Sequence, residues 1–316
     1  MSVKKMEIES EDKPPGSPLI RDFDIGNYLG RSNFFIKYEG SNPTGTQKDR
    51  ISKKHVENAI DHGYSEISVA TCGNYGASIA YYAGKYGIKA IVGIPQEYSN
   101  SRHAEIASYG ADIIEKPVKY EEMVEYMREE SEKNNWYDAS PGSKNKSIDV
   151  SGYSEISYEI YNQLGFAPDY ISIPVGNGTT FYGVYYGFLR LYRDGKIAKI
   201  PKFIAASTSG GNPVIYSFLN GFRNIVELDP DTISESYTNE PLVSYISYDG
   251  QKALDALYKT HGKAIYVSDE DMITLSEGFR KIDHLSVLPA SASAAFAALK
   301  FAGNKNCVIL LTGSDK

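Results

Sequence analysis

One lysine directly follows a turn and opens a helical pattern, an arrangement that can make its amine a nucleophile. Pro43 and Gly45 favour a tight turn just before Lys48. At a helix N-terminus the ammonium faces the positive end of the helix dipole, which favours the neutral amine required for Schiff-base chemistry. The alternative is a solvated lysine, because most lysines are exposed. The whole segment is Ser41-Asn42-Pro43-Thr44-Gly45-Thr46-Gln47-Lys48-Asp49-Arg50.

Two further loops lie between a predicted strand and a predicted helix, where open α/β sheets bind ligands. The first can hold a carboxylate through its backbone N–H groups, or it is a plain turn with Asn74 as helix cap. The second contains two glycines that let backbone N–H groups approach a phosphate. Because Phe181 stands three residues after Gly178, this loop is not a dinucleotide fingerprint. The loops are Thr71-Cys72-Gly73-Asn74-Tyr75-Gly76 and Pro174-Val175-Gly176-Asn177-Gly178-Thr179-Thr180.

In this order and spacing, the three segments resemble those of fold-type-II pyridoxal phosphate (PLP) enzymes, the family of tryptophan synthase β subunit, cysteine synthase, threonine dehydratase and threonine synthase. The resemblance is closest to threonine synthase, whose NPTGSFKDR motif is similar to residues 42–50. Gly73-Asn74 resembles its asparagine loop, and residues 174–178 resemble its phosphate loop. Pro289-Ala290-Ser291-Ala292 and Leu311-Thr312-Gly313 resemble its C-terminal segments, so the resemblance runs from about Phe34 to the last residue.

The resemblance implies a role for each matching residue. Lys48 is expected to be catalytic, to form the Schiff base with PLP and to move protons. Asn74 is expected to bind the ring oxygen of the cofactor, and Thr312 to meet its pyridine nitrogen. The cofactor phosphate is expected at Gly176, Asn177, Gly178, Thr179 and Thr180. The substrate carboxylate is expected at Thr71, Cys72, Gly73 and Tyr75.

Three features bear on the reaction. A neutral Thr312 hydroxyl does not hold the pyridine nitrogen protonated, which suits elimination better than transamination. Cys72 stands where relatives have Ser or Thr. The arginine that threonine synthases carry just before the position of Gly152, for a substrate phosphate, is missing; Lys144 and Lys146 are the nearby cations, and lysine does not reproduce bidentate binding.

These features predict a PLP-dependent lyase that acts on a small amino acid. The first hypothesis is a threonine-synthase-like enzyme that converts O-phosphohomoserine to threonine and phosphate. The second is a serine/threonine dehydratase or a β-replacement enzyme such as a cysteine or cysteate synthase. The third is a PLP-binding or regulatory protein without catalytic activity, which the presence of Lys48 disfavours.

Composition excludes several other classes. The net charge of -7 argues against a nucleic-acid surface, and no apolar run is long enough for a membrane helix. Met1 to Lys13 has no apolar core of a signal peptide, and two cysteines without metal or disulfide spacing fit a reducing cytoplasm. The five histidines show no metal-binding pattern, so no metal is expected. We also expect a homodimer.

The elements that position these loops alternate along the chain. Strands are predicted at 34–38, 67–70, 90–94, 112–114, 170–173, 203–206 and 308–311. Helices are predicted at 48–62, 75–86, 102–109, 120–134, 155–164, 181–193, from 269, and at 290–301, whereas 212–248 has no clear pattern. Such alternation predicts an α/β fold with mostly parallel sheets and helices on both faces. The resemblance implies two domains with PLP in the cleft between them: an arm and start of the large domain at 1–33, a small domain at 34–137, and the large domain at 138–316.

Overall fold

The computed structural model of the chain describes residues 16–21, 24–25, 33–71, 73–96 and 102–315. The strands within these residues are β1 Leu19–Ile20, β2 Phe34–Tyr38, β3 Glu66–Ala70, β4 Lys89–Pro95, β5 Asp112–Lys116, β6 Tyr137–Asp138, β7 Tyr170–Pro174, β8 Lys202–Thr208, β9 Lys263–Val267 and β10 Cys307–Leu311. The helices are α1 Lys48–Asp61, α2 Asn74–Tyr86, α3 His103–Ser108, α4 Tyr120–Asn134, α5 Ser147–Leu164, α6 Thr179–Arg193, α7 Pro213–Leu219, α8 Gly250–Lys259, α9 Asp269–Ile282 and α10 Pro289–Phe301, and a short 3-10 helix spans Glu39–Ser41.

The larger sheet has six strands in the order β1-β2-β10-β7-β8-β9, and all neighbours except β1 and β2 are parallel. Both faces of this sheet are covered. Phe203 and Ala205 of β8 belong to the apolar core that α5 and α6 share, whereas Ile204 and Ala206 belong to the core on the other face, with α10. Burial on both faces explains why residues 203–206 of β8 and the whole of β10 are apolar in sequence.

The smaller sheet has four parallel strands in the order β5-β4-β3-β6. Helices α1 and α2 pack together and share a core with β3 and β4. On the other face Met123, Val124 and Met127 of α4 pack with Ala70 and Ile91. With the larger sheet, this arrangement confirms the predicted α/β class and its mostly parallel sheets.

Helix α5 joins the two halves of the molecule because it packs against both α1 and α6. At Gly152 a Cβ atom would lie 2.8 Å from Ile51 Cγ2 and 3.0 Å from the Arg50 carbonyl oxygen, so the approach of α5 to α1 requires glycine. Ionic contacts reinforce the junction. The Arg50 guanidinium lies 2.6 Å from Glu39 and 2.7 Å from Glu159, and both Arg50 and Glu39 are buried.

This buried network shifts the protonation of Glu39. Burial opposes its ionisation, but the charge and hydrogen bonds of Arg50 outweigh burial, so the pKa of the Glu39 carboxyl lies below its usual range. Lys37 of β2 also contacts Glu159, at 2.6 Å. The network therefore ties β2, α1 and α5 together beneath the lysine loop.

The predicted strands and helices are confirmed, with several differences. Helix α5 begins at Ser147, well before the predicted start at 155, and Leu19–Ile20, which the sequence pattern placed in an arm, is a strand. Strand β2, which the sequence division assigns to the small domain, is a strand of the larger sheet. Helices α7 and α8 and strand β9 were not predicted. None of the helices in the described part of the chain has the length and apolar character needed to span a bilayer.

Candidate active site

Lys48 lies at the start of α1 in a cleft lined by residues from both halves of the chain. Its Nζ is 5.0 Å from the centre of the Tyr75 ring and 6.0 Å from that of Tyr153. Both rings are buried, and the Tyr75 hydroxyl donates to the Ala139 carbonyl oxygen at 3.0 Å. The amine is therefore held against two aromatic rings whose faces attract a cation.

Asp49 fixes the loop that carries the lysine. Its carboxylate accepts hydrogen bonds from the Thr44 amide at 2.7 Å, the Thr44 hydroxyl at 2.5 Å and the Ser78 hydroxyl at 2.5 Å. Burial raises the pKa of the Asp49 carboxyl, and these hydrogen bonds act in the opposite direction. Because Ser78 is in α2, Asp49 joins the lysine loop to the helix that follows the asparagine loop.

The lysine loop is also joined to the end of β10. The Gln47 amide donates to the Thr312 carbonyl oxygen at 2.9 Å, and Thr46 forms an antiparallel bridge with Gly313. The Thr312 amide donates to the Ser291 hydroxyl oxygen at 2.6 Å, and the Thr312 hydroxyl lies 3.2 Å from the same atom. Thr312 and Lys48 thus line one cleft although they come from opposite ends of the chain.

The asparagine loop is held by side chains at its two ends. The Thr71 hydroxyl oxygen accepts from the amides of Gly73 at 2.9 Å and Gly76 at 3.2 Å. Arg102 donates to Asn74 Oδ1 at 2.8 Å and to the Thr44 carbonyl oxygen at 2.8 Å. Arg102, to which the sequence assigned no role, therefore connects this loop to the lysine loop.

The glycine-rich loop after β7 forms the N-terminus of α6. Gly178 has φ +84°, a conformation that favours glycine, and a Cβ on Gly176 would lie 2.7 Å from the Pro241 carbonyl oxygen. The Thr179 hydroxyl donates to Asp249 at 2.9 Å. Asn177 Oδ1 is buried without a hydrogen-bond partner. A helix N-terminus with exposed amides attracts an anion, so the loop fits a phosphate group.

The cleft brings together most of the residues that the sequence predicted for the site. Those that line it are Lys48, Thr71, Asn74, Tyr75, Gly176, Asn177, Thr179, Thr180 and Thr312. Gly73 and Gly178 belong to the same loops but are not among the lining residues. Cys72 lies outside the described residues.

The cleft also contains residues for which the sequence gave no functional signal. Asp149 of α5 lies 2.9 Å from His55 Nε2, and His55 Nδ1 lies 3.1 Å from the Tyr137 hydroxyl. Glu240 comes from the segment without a clear pattern, and burial, with Glu235, raises the pKa of its carboxyl to about 8. Other lining residues with no predicted role are Tyr120, Pro141, Tyr153, Leu242, Val243, Ser244 and Leu288.

The chain was compared with known protein families. A family model described as pyridoxal-phosphate dependent enzyme matches residues 12–313. The chain belongs to this family. PLP is therefore its cofactor and the chain is a PLP-dependent lyase, which confirms the resemblance inferred from the motifs.

Curated relatives agree with this assignment. The threonine synthase of Methanocaldococcus jannaschii is 29% identical over 288 residues, which is 90% of this chain and 69% of that protein. The threonine synthase of Methanosarcina acetivorans is 27% identical over 281 residues, covering 88% of this chain and 67% of that protein.

Solved structures show the same fold. Maize serine racemase superimposes with a TM-score of 0.79 at 20% identity, covering 95% of this chain and 88% of that one. The processed threonine deaminase isoform 2 of Solanum lycopersicum superimposes with a TM-score of 0.77 at 18% identity, covering 96% and 85%. The fold is PLP fold type II.

Proposed function

We propose that Lys48 holds PLP covalently in the cleft and that the enzyme eliminates a group from the β or γ carbon of a small amino acid. The observation that carries this proposal is that the lysine, asparagine, glycine-rich and threonine loops, which are far apart in sequence, all line one cleft. PLP supplies an electron sink when bound, and the chain supplies binding, orientation and proton transfer.

Each loop has a distinct proposed task. The amides of Gly176–Thr180 bind the cofactor phosphate at the start of α6, where the helix dipole adds to the attraction. Asn74 binds the ring oxygen; since Arg102 already occupies its Oδ1, the side-chain nitrogen is the donor. Thr312 faces the ring nitrogen with a neutral hydroxyl, which favours elimination.

The substrate carboxylate is proposed to bind at Thr71, Cys72, Gly73 and Tyr75. The Thr71 hydroxyl oxygen and the Tyr75 hydroxyl are already engaged with backbone groups. We therefore assign the main contacts to backbone amides at the start of α2. Lys48 Nζ, held over the Tyr75 ring, takes the proton from the α carbon.

Two substrate classes follow from different observations. The threonine synthases to which the chain is similar support O-phosphohomoserine, with threonine and phosphate as products. The charges of the cleft favour the second class, a dehydratase or β-replacement enzyme acting on an unphosphorylated amino acid. Lys144 and Lys146, the cations near the position of the missing arginine, are exposed and do not line the cleft.

The experiment that tests the assignment is borohydride reduction of the PLP-loaded protein followed by peptide mapping. We expect the cofactor on the peptide that contains Lys48, and its recovery on Lys53 or Lys54 would contradict the site. Phosphate release from O-phosphohomoserine, compared with 2-oxo acid formation from serine or threonine, separates the two substrate classes. A homodimer and a cytoplasmic location belong to the same proposal, and sedimentation of the purified protein tests the first.

A further inference from the structure

The lining of the cleft offers little positive charge for a phosphorylated substrate. Among the described lining residues, Lys48 is the one lysine or arginine, whereas Asp149 and Glu240 are carboxylates. Asp149 is paired with His55 at 2.9 Å. Glu240 is thus the acidic lining residue without an ion pair, and the described lining offers no cation besides Lys48 that could bind a substrate phosphate.

The backbone on both sides of the Glu240 carboxyl group is held by contacts with other segments. Its amide donates to the Ser236 carbonyl oxygen at 3.0 Å, and the next residue, Pro241, lies against Gly176 of the glycine-rich loop. Leu242 is fixed in turn, because its carbonyl oxygen accepts from the Asn212 side chain at 3.0 Å. The segment that carries Glu240 therefore forms a fixed wall of the cleft beside the glycine-rich loop.

One oxygen of the Glu240 carboxyl group is shut away from solvent and from polar neighbours. Its Oε1 atom is buried and has no hydrogen-bond partner. Burial and the neighbouring Glu235 raise the pKa of the carboxyl to about 8, so it carries a proton at neutral pH. A protonated carboxyl in a substrate cleft can donate a hydrogen bond or the proton itself.

We propose that Glu240 is the general acid that protonates the leaving oxygen of a β-hydroxy amino acid, so that the group departs as water. This inference rests on the proposed lyase function and specifies its substrate class. Lys48 takes the proton of the α carbon, the bond between the β carbon and oxygen breaks with its electron pair on oxygen, and the Glu240 proton completes the water molecule. Glu240 then recovers a proton from solvent.

The reasoning gives a test that depends on the leaving group. Hydroxide leaves poorly at neutral pH and needs a proton, whereas acetate leaves without one. Loss of a general acid should therefore slow elimination from L-serine or L-threonine and spare elimination from O-acetyl-L-serine. A structural defect in the cleft would slow both reactions together.

The experiment compares the PLP-loaded wild type with Glu240→Gln and with Glu227→Gln, a control that removes an exposed carboxylate from the same irregular segment. For Glu240→Gln we expect kcat on hydroxy amino acids to fall by about 10²- to 10⁴-fold, while kcat on O-acetyl-L-serine stays within about threefold of the wild type. The control should resemble the wild type on both substrates. Equal PLP absorbance in all three proteins shows that the site is intact.

A second readout does not depend on turnover. Infrared difference spectra of the wild type minus Glu240→Gln should contain a protonated carboxyl band at pH 7 that disappears as the pH rises through about 8. An ionised Glu240 at pH 7, equal losses on both leaving groups, or no loss on either would overturn the inference. Turnover of O-phosphohomoserine alone would also overturn it and would leave the proposed lyase standing. Failure of borohydride to fix PLP on Lys48 would instead contradict the proposed function.

Discussion

Gly178 and Gly165 form a matched pair that separates backbone strain from cofactor binding. Both lie at a helix end with nearly the same φ, +84° and +81°. A Cβ on Gly165 would meet nothing within 4 Å, whereas a Cβ on Gly178 would lie 3.0 Å from the Asp249 carbonyl oxygen and 3.1 Å from the Ala253 Cβ. Alanine at either position tests the same dihedral strain in two different surroundings.

The expected losses follow from these distances. A left-handed alanine costs about 1–2 kcal/mol, so Gly165→Ala should lose about that much free energy of unfolding. Gly178→Ala adds overpacking against backbone and a neighbouring helix, which costs about 1–3 kcal/mol more. If the N-terminus of α6 shifts and one charged hydrogen bond to phosphate is lost, PLP affinity falls by about 1.5–3 kcal/mol, or roughly 10- to 150-fold.

The assay is urea denaturation of the two apo variants and the wild type, followed by PLP titration monitored by absorbance. Gly165→Ala should bind PLP with the affinity of the wild type. If Gly178→Ala loses stability but keeps wild-type affinity for PLP, the phosphate does not lie at this loop. If both variants lose the same free energy of unfolding, the close approach of the Gly178→Ala Cβ to Asp249 does not destabilise the protein.

Three further predictions concern other parts of the site and its support. Lys48→Ala should abolish turnover yet retain part of the PLP binding, measured by equilibrium dialysis, because the phosphate loop is intact; more than a trace of activity would require another base. Thr312→Asp should place an anion beside Ser291 and the ring nitrogen. The variant should form the elimination product more slowly in a coupled assay and should show a long-wavelength absorbance band with substrate. An unchanged spectrum would remove Thr312 from the site. The pKa of the Glu39 carboxyl is lower in the folded state than in the unfolded state. The ionised carboxylate therefore stabilises the fold above about pH 4.5, and this stabilisation is lost as the pH falls through the pKa of the folded state. Glu39→Gln should therefore lose about 3–5 kcal/mol at neutral pH, by leaving Arg50 short of its buried partner, and should unfold with a weaker acid dependence than the wild type in denaturation at pH 3 to 7.

The main part of the cleft could be predicted from sequence because its loops obey local rules. Each predicted loop follows a strand and precedes a helix, or ends the last strand, and such junctions meet at one edge of parallel sheets. Gly176 and Gly178 stand at backbone positions where a side chain would meet neighbouring backbone atoms. Local pattern and family resemblance therefore led to the same residues.

Other parts of the fold depend on tertiary contacts that leave no periodic pattern. The segment that carries Glu240 is held by Asn212, whose side-chain nitrogen donates to the carbonyl oxygens of Val175, Gly176 and Leu242. The first turns of α5 were missed because Gly152 weakens a helical pattern, although the close contact with α1 requires it. In both places the long-range contact outweighs the local preference.

The backbone link between the lysine loop and β10 has a consequence for biosynthesis. The Gln47 amide and Thr46 find their partners at Thr312 and Gly313, which the ribosome adds long after the lysine loop has emerged. Pairing of segments so distant in sequence closes a large loop, a slow step in folding. A nascent chain must therefore be extended past Gly313 before the loop that carries Lys48 can form these backbone contacts.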